Sequence, residues 1–369
     1  MHVRRLDRAL RETRRRRLSG LAKLLDPTYV FLPLLLALSA AAPSYAQDPA
    51  RFYAGRTITF VVGYTTGASY DSQARILTKS FGRHIPGKPN VVIQNMPGAG
   101  SITSANYLFN VAPKDGTVIG LFARGMFLEA LFEGPGVRFD PLKFNWIGSH
   151  AKEVSVVLSG IDTPFKTVDD IKSREMVVGA TGPGADTHSF PLLLNSVIGT
   201  KFKIVSGYPG NAEALLAVER REVQGNSGTS IGSLAALRPA WMTEKGHVNF
   251  ITQLALERHP KQLQGVPLIM DYAASDLDRA ALALGFSRQS IAYAFTAPPD
   301  VPADRVQALR DAFMATTRDP DFIADAERLY TEIDPLTGPQ VLDVIKRAYA
   351  TPKEAIARTR DAVMPPPGK

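Results

Sequence analysis

The sequence predicts an α/β protein built from two lobes, each a mainly parallel sheet flanked by helices. Short apolar runs rich in β-branched residues alternate with segments whose apolar residues recur at helical spacing. The same alternation begins again after residue 150, and polar, glycine-containing loops follow several of the runs. Short buried strands separated by helices are typical of βα units. The composition, 45% hydrophobic and 21% charged over 369 residues, is that of a soluble protein long enough for two cores.

The N-terminal segment, residues 1–46, is predicted to be an export signal. It holds nine basic and three acidic residues, so it carries +6 of the net charge of +8. An apolar stretch at 29–42 follows the basic run, and Ser44 and Ala46 place small residues at the −3 and −1 positions of a cut after Ala46. The alternative, a retained membrane anchor, is disfavoured because the stretch is shorter than the roughly 20 residues that span a bilayer. General and twin-arginine export both stay open, and the mature chain is expected to work outside the cytoplasm.

The composition of the remaining chain excludes several classes of function. Residues 47–369 carry a net charge of only +2, which argues against a nucleic-acid partner. Cysteine is absent, so disulfides, thiolate metal sites and cysteine nucleophiles are excluded. The sequence has no H-E-x-x-H run, Walker loop, complete dinucleotide fingerprint or G-x-S-x-G motif. We therefore expect no metal, no cofactor and no catalytic residues.

The first lobe is assigned to residues 47–150 together with 285–369. The run TITFVV ends at Gly63 and predicts a strand at 57–62, and apolar residues at helical spacing predict a helix at 71–85. Further strands are predicted at 90–93, 118–122 and 291–295, and further helices open at 98–100 and span 301–316, 320–330 and 338–349. The late strand needs a sheet to join, so the chain is expected to return to the first lobe, with hinges at the crossings.

The second lobe is assigned to residues 151–284. Apolar runs predict strands at 154–158, 176–180 and 202–205, with another strand starting at Val223, and helices at 187–198 and 211–218. This second set of βα units predicts a second sheet with its own core.

Three polar loops that follow strands and open helices are the candidate ligand-binding segments, at 63–71, 181–188 and 206–211. In open α/β sheets such loops lie at the carboxyl ends of strands, where ligands bind. Each presents backbone N–H groups at a helix N-terminus, which carries about half a positive charge and favours anions. The alternative is that Ser69, Asp71 and Asp186 are ordinary helix caps. Loops of one design in both lobes favour the binding interpretation.

Two arginines near these loops are considered for a ligand-binding or a structural role. Arg124 follows the strand at 118–122, so it is expected at the same edge of the sheet and suits a bidentate pair with a carboxylate. Its alternative is a surface or inter-lobe salt bridge. Arg75 is expected to brace Asp71 or the sheet rather than to contact a ligand.

An enzymatic interpretation stays open at this point as a second hypothesis. A secreted hydrolase or lyase with this fold would need a nucleophile or base from Ser227, His188 or Asp71. Nothing in the spacing of these residues groups them, and His188 is equally an ordinary loop or helix-face residue.

Several motifs of the mature chain resemble those of one receptor family. Residues 91–100 read VVIQNMPGAG and are very similar to its VVVxNxPGAG signature, and residues 112–117 resemble its A-x-P-D-G turn. Gly67 and Asp71 match its strand–PGG–x–x–D–helix start. Residues 179–188 look like its second ligand loop, Tyr208-Pro209-Gly210 takes the place of its YKG, and residues 297–320 resemble its closing helices. The mature chain therefore resembles the solute receptors of tripartite tricarboxylate transporters, also called the Bug family of periplasmic binding proteins.

The resemblance implies a Venus-flytrap fold that closes on a small organic acid in the periplasm. It implies a monomeric, non-enzymatic receptor that delivers the acid to large and small membrane permease subunits. A module that reports ligand occupancy to a membrane sensor is the alternative. Carried over to this sequence, the implied ligand contacts are Tyr64, Thr65, Thr66, Gly67, Ala68 and Asp71 in the first lobe, and Thr181, Gly182, Pro183, Asp186, Thr187, His188, Gly210, Asn211 and Ser227 in the second. The loop and strand positions add Ser69 and Arg124 to this set.

The sequence departs from the family pattern at three places in the expected cleft. Thr65-Thr66 replaces the usual pair of prolines, Ala68 replaces the second glycine, and Ser227-Gly228 stands where Phe-Asp is common. The cleft is therefore expected to be richer in hydroxyl groups and less acidic than is usual for the family.

Overall fold

The computed structural model describes residues 48–182 and 185–364 of the chain. The export signal predicted at 1–46 and the predicted contact Pro183 lie outside these ranges. The strands are β1 (Thr57–Val62), β2 (Asn90–Asn95), β3 (Val118–Leu121), β4 (Asn145–Ser149), β5 (Ser155–Gly160), β6 (Met176–Ala180), β7 (Phe202–Ser206), β8 (Gly225–Ser230), β9 (Val248–Leu254), β10 (Ala294–Ala297) and β11 (Leu336–Thr337).

The helices connect these strands and cover both sheets. They are α1 (Pro49–Tyr53), α2 (Ser69–His84), α3 (Ile102–Asn110), α4 (Met126–Leu131), α5 (Val168–Ser173), α6 (Asp186–Val197), α7 (Asn211–Glu219), α8 (Ile231–Leu237), α9 (Pro239–Thr243), α10 (Asp276–Phe286), α11 (Ala303–Thr316), α12 (Pro320–Arg328), α13 (Gly338–Tyr349) and α14 (Lys353–Val363). Short 3-10 segments lie at Ala99–Ser101, Ile269–Tyr272 and Ser287–Ile291. Among the described helices, none combines the length and the hydrophobicity that a membrane span requires.

The strands form two sheets, one in each lobe, within a unit that begins at Asp48. The first sheet has the order β11-β4-β10-β3-β1-β2, and the second has the order β7-β6-β8-β5-β9. In the first, β1 pairs in parallel with β2 and β3, but β10 runs antiparallel to both β3 and β4. In the second, β6 is parallel to β7 and β8, whereas β5 is antiparallel to β8 and β9.

The two-lobe α/β prediction is confirmed, but the expectation of mainly parallel sheets is wrong in detail, because both sheets are mixed. Parallel neighbours require a long crossover within the same sheet. The strands β5 and β10 instead enter their sheets directly from the other lobe, and this frees them to pair antiparallel.

The inner strands of each sheet are buried on both faces, and their residues alternate between two core clusters. In β1, Phe60 packs in one cluster with Leu77 of α2, whereas the neighbouring Val61 packs in the cluster on the other face. In β5, Val156 and Val157 divide in the same way between the two cores of the second lobe. This alternation follows from the two-residue period of a strand, and it holds the strand ends and the loops after them in place.

The chain crosses between the lobes three times, at 150–154, 287–293 and 350–352. The third crossing brings α14 against α6 and α10 of the second lobe. There the hydroxyl of Thr359 donates to the carbonyl of Ala281 at 3.2 Å. The lobe boundaries predicted from the sequence stay a prediction, and the structure adds that this last helix packs beside the second sheet.

The predicted strand at 291–295 differs from the structure at its start. Residues Ser287–Ile291 form a 3-10 turn, and the strand β10 begins only at Ala294. The apolar run that predicted the strand is buried, but its first part lies in the crossing between the lobes, where no neighbouring strand is available to pair with it.

Candidate ligand-binding site

A cavity of about 180 Å³ lies where the N-terminal ends of helices from both lobes meet. Ser69 and Tyr70 at the start of α2 line it from the first lobe, and Asp186 of α6 and Asn211 of α7 line it from the second. The remaining described lining residues are Tyr64, Ala123, Arg124, Gly125, Met126, Glu129, Glu153, Ala185, Thr187, Gly228, Ser230, Ser233, Arg288 and Tyr293. The cavity shares Ser69, Glu153, Asn211, Ser233 and Tyr293 with a wider cleft of about 1610 Å³ between the lobes.

Backbone N–H groups at two of these helix starts have no acceptor among the described residues. They are those of Ser69, Tyr70 and Asp71 in α2 and those of Asn211, Ala212 and Glu213 in α7. Unpaired N–H groups at a helix start, together with the helix dipole, form a site that favours anions. The two helices belong to opposite lobes, and Ser69, Tyr70 and Asn211 at their starts line the same cavity.

The side chain of Asp71 stabilises the conformation of the loop at 63–71. Its carboxylate accepts the N–H of Gly67 at 2.8 Å, an amide hydrogen of Asn95 at 2.9 Å, and two hydrogens of Arg75 at 2.8 and 3.1 Å. Burial alone would raise the pKa of Asp71, but these hydrogen bonds outweigh it and lower the pKa below its usual value. Gly67 has a φ of +84°, which glycine adopts without strain and which turns the chain into α2.

Arg124 joins the lobes through a buried ionic network at the cavity wall. Its two terminal nitrogens donate to Glu153 and to Asp186, and its side chain is only 10% exposed. Arg288 lies 3.3 Å from the second oxygen of Asp186, and the hydroxyl of Tyr293 donates to Glu153 at 2.9 Å. Burial opposes the ionisation of Asp186, but the two arginines outweigh it and lower its pKa. Of the two roles considered for Arg124, the structure shows the inter-lobe salt bridge.

Three tyrosine rings line the first-lobe side of the cavity. Tyr64 stacks on Tyr70 with ring centroids 4.5 Å apart, and Tyr70 meets Tyr293 edge to face at 5.3 Å. The backbone N–H of Arg124 donates to the hydroxyl of Tyr70 at 3.1 Å. Burial raises the pKa of Tyr70, so this wall is uncharged at neutral pH.

The structure brings together about half of the residues predicted as contacts. Tyr64, Ser69, Arg124, Asp186, Thr187 and Asn211 line the cavity, and Gly67, Ala68 and Gly210 line the wider cleft. Thr65, Thr66, Asp71, Thr181, Gly182, His188 and Ser227 are not among the described lining residues of either space.

Most of these outlying side chains are engaged elsewhere. Thr66 donates to Asn95 at 3.1 Å, and Thr181 shares a hydrogen bond of 3.1 Å with Thr187. The ring of His188 lies 2.9 Å from the hydroxyl of Ser206.

The three residues considered for a hydrolase do not meet. The carboxylate of Asp71 is held by Arg75, and the ring of His188 is bonded to Ser206. The hydroxyl of Ser227 is fully buried and has no partner among the described residues. No hydrogen bond joins any two of the three within the described ranges, and these ranges hold no His, Asp and Glu cluster suited to a metal ion.

Sequence reasoning missed several charged or polar residues of the cavity wall, among them Glu129, Glu153, Arg288 and Tyr293. Glu153 and Tyr293 lie in the crossings between the lobes, and Arg288 lies in the 3-10 turn at the second crossing. Glu153, Arg288 and Tyr293 belong to no strand–loop–helix pattern, so only the folded chain brings them to the site. Glu129 lies in α4, which follows β3 through the loop at 122–125, and this loop is not among the candidate segments.

The two mixed sheets, the repeated crossings and the cavity between the lobes define a protein of the periplasmic-binding-protein fold. The family model of the tripartite tricarboxylate transporter family receptor, TctC, matches residues 74–338. The chain belongs to this family.

Solved structures share the fold at low sequence identity. A TctC solute-binding protein from Polaromonas, solved without ligand, is 20% identical with a TM-score of 0.63, and the match covers 81% of this chain and 96% of that one. A Rhodopseudomonas palustris protein solved with adipate is 18% identical with a TM-score of 0.61, covering 83% and 97%. MatC from the same species, with bound malate, is 22% identical with a TM-score of 0.58, covering 84% and 99%.

Proposed function

We propose that this protein is a periplasmic receptor that binds a small organic acid between its lobes and delivers it to the membrane subunits of a tripartite transporter. The observation that carries the proposal is the convergence of unpaired N–H groups from α2 and α7, one helix from each lobe, on one cavity. Family membership supports transport as the role. The fold relatives solved with malate and adipate hold carboxylic acids, and the predicted export signal supports the compartment.

Binding and lobe closure are coupled in this proposal. Only a closed arrangement lets one carboxylate contact Ser69 in the first lobe and Asn211 in the second. A ligand that binds one arrangement better shifts the population towards it. Of the predicted contacts, we propose that Tyr64, Ser69, Thr187 and Asn211 touch the ligand, whereas Asp71 shapes the loop and Arg124 joins the lobes. No reaction is proposed.

A thermal-shift screen of the mature chain tests the function. The chain from Gln47 onward is heated with mono-, di- and tricarboxylates, amino acids and aromatic acids. A true ligand raises the melting temperature in proportion to the logarithm of its concentration, because it binds only the folded chain. Failure of every acid in the panel, at millimolar concentration, would contradict the proposal.

Proline at the first residue of α7 tests the N–H groups directly. Asn211→Pro removes one unpaired N–H at a position where proline suits a helix, and the preceding Gly210 already has extended backbone. Asn211→Ala removes the side chain and keeps the N–H. For the acid found in the screen, we expect Asn211→Pro to weaken binding about tenfold relative to Asn211→Ala, as measured by titration calorimetry. Equal affinities of the two variants would remove this N–H group from the site.

A further inference from the structure

Two loops from opposite lobes meet at the wall of the wider cleft. The loop at 255–267 follows β9 of the second sheet, and the loop at 329–335 joins α12 to β11 of the first sheet. Both loops contribute to the lining of the cleft of about 1610 Å³. The carboxylate of Glu332 in the first-lobe loop lies 3.2 Å from Nε2 of His259 and 3.1 Å from Nζ of Lys261 in the second-lobe loop. One carboxylate therefore bridges the lobes through both of its oxygens.

The second-lobe loop holds the ring of His259 in one orientation. Gln253, buried at the end of β9, accepts the backbone N–H of His259 at 2.8 Å and donates to the carbonyl of Val266 at 2.9 Å. Nδ1 of His259 accepts the N–H of Gln262 at 2.9 Å, so the ring hydrogen lies on Nε2, the atom that faces Glu332. The side chain of His259 is only 10% exposed, which shelters this hydrogen bond from water.

The first-lobe loop is anchored to its own lobe on both sides of Glu332. The hydroxyl of Thr331 accepts from the side-chain amide of Gln73 at 2.6 Å, and the N–H of Asp334 donates to the carbonyl of His150 at 3.0 Å. Each loop therefore moves with its own lobe, and widening the cleft pulls the two loops apart. The contact lies beside the first crossing, where the lobes separate least, but a displacement of about 1 Å is enough to break a hydrogen bond of this length.

We infer that Glu332, His259 and Lys261 form a clasp that holds the lobes in the closed arrangement without the help of a ligand. His259 contributes most, because its N–H donates to a carboxylate in a sheltered place. Lys261 contributes less, because its side chain is 77% exposed and water screens the pair. A receptor held shut in this way takes up its ligand only after the clasp opens. The inference goes beyond the proposed function, because it concerns the opening of the lobes and not the ligand.

A single introduced thiol measures lobe opening, because the chain has no cysteine of its own. Thr187→Cys places the thiol in the wall of the smaller cavity, where Thr187 is 3% exposed. The uncharged reagent dithiodipyridine reacts with this thiol when the lobes open, and the same reaction in urea gives the rate for the exposed thiol. The ratio of the two rates is the open fraction of the mature chain, and no ligand is needed to measure it.

Adding Glu332→Ala to Thr187→Cys should raise the labelling rate about tenfold, the scale of one hydrogen bond to a charged group. The matched control is Glu327→Ala, which removes another exposed acid of the same cleft that forms no ion pair among the described residues. We expect it to leave the rate unchanged. His259→Ala should act like Glu332→Ala, and the two together should add little, because both remove the same contact.

Three results would each overturn the inference: equal labelling of the Glu332→Ala and Glu327→Ala variants, full additivity of Glu332→Ala and His259→Ala, or labelling of the starting protein as fast as in urea. Urea denaturation checks the route to the thiol. A gain in labelling that equals the gain in the unfolding constant would show global unfolding instead of lobe opening, and the clasp would fail. If the clasp is confirmed but no acid of the thermal-shift screen binds, the clasp stands and the proposed function fails.

Discussion

Arg124 is the cation around which the carboxylates of the cavity are arranged. It extends from the end of β3 in the first lobe and donates to Asp186 in the second, in a place where its side chain is only 10% exposed. Removing two charges from water is expensive, and their attraction offsets the cost only while both partners are present. The pair therefore fixes how the lobes meet more than it adds net stability.

Removing the guanidinium should be strongly destabilising. Arg124→Met leaves Glu153 and Asp186 buried with one fewer cation, and we expect it to lower the free energy of unfolding by about 3 kcal/mol in urea denaturation. The control is Arg221→Met, which breaks a pair with Asp162 whose side chains are 80% and 65% exposed. Solvent screens that pair, so its loss should have little effect. Similar small losses in both variants would show that the buried network is not held by Arg124.

The turn from β11 into α13 is shaped by the close approach of two backbones. Thr337 caps α13 in a reciprocal pair with Gln340, and the buried Val341 and Ile345 dock the helix on the first sheet. At Gly338, the first residue of the helix, a methyl group would lie 1.9 Å from the carbonyl oxygen of Trp146. Glycine at this position therefore allows the start of the helix to approach β4 this closely.

Alanine at this turn should move the helix off the sheet. For Gly338→Ala we expect a loss of about 3 kcal/mol in the free energy of unfolding, because the clash is with backbone and no side-chain rotation relieves it. The matched control is Gly160→Ala at the end of β5, where the nearest atom to an added methyl group is 3.5 Å away. A tolerated Gly338→Ala, with a melting temperature like that of the control, would contradict the packing described here.

Elements with a clear apolar pattern could be predicted, and the others could not. The predicted strands at 57–62 and 176–180 coincide with β1 and β6, because each is a compact β-branched run bounded by polar or glycine residues. In contrast, β9 reads VNFITQL and buries Thr252 and Gln253. Its polar residues interrupt the apolar pattern by which a buried strand is predicted. The helix α14 reads KEAIARTRDAV, and its buried face is made of alanine and threonine, which form no apolar stripe.

The candidate site likewise contains residues that could be predicted from the sequence and residues that could not. Ser69, Asp186 and Asn211 could be predicted because a glycine-containing loop before a helix is a local signal. Glu129 and Arg288 lie 159 residues apart in the chain and meet only through packing of the lobes. The charge balance of the cavity therefore depends on tertiary contacts that no local pattern encodes.

The stability of the whole molecule should depend on pH through His150, which lies where the chain leaves the first lobe. Its ring is fully buried, stacks on Tyr293 with centroids 5.2 Å apart, and places Nε2 2.8 Å from the side-chain oxygen of Gln73. Burial lowers the pKa of His150 from 6.5 to about 3. Below pH 6.5 the unfolded chain therefore binds a proton that the folded chain does not.

We expect the free energy of unfolding to fall as the pH decreases from 6.5 towards 3, with His150 contributing up to about 1.4 kcal/mol per pH unit. His150→Gln should show a shallower slope in urea denaturation between pH 7 and pH 4. The control His247→Gln changes a ring that is 40% exposed and should keep the slope of the unmodified chain. Parallel slopes for all three proteins would mean that His150 is not buried in its neutral form.

The three crossings and the return of α14 to the second lobe also limit how this receptor can open. Two bodies tied at three separate points resist twisting about one another, and the easiest remaining motion is a swing about the line through those ties. In such a motion the mouth of the cleft moves farthest, and the residues beside His150 at the first crossing move least. Cleavage of the backbone at one position would not separate the lobes, since each lobe is assembled from separate stretches of chain.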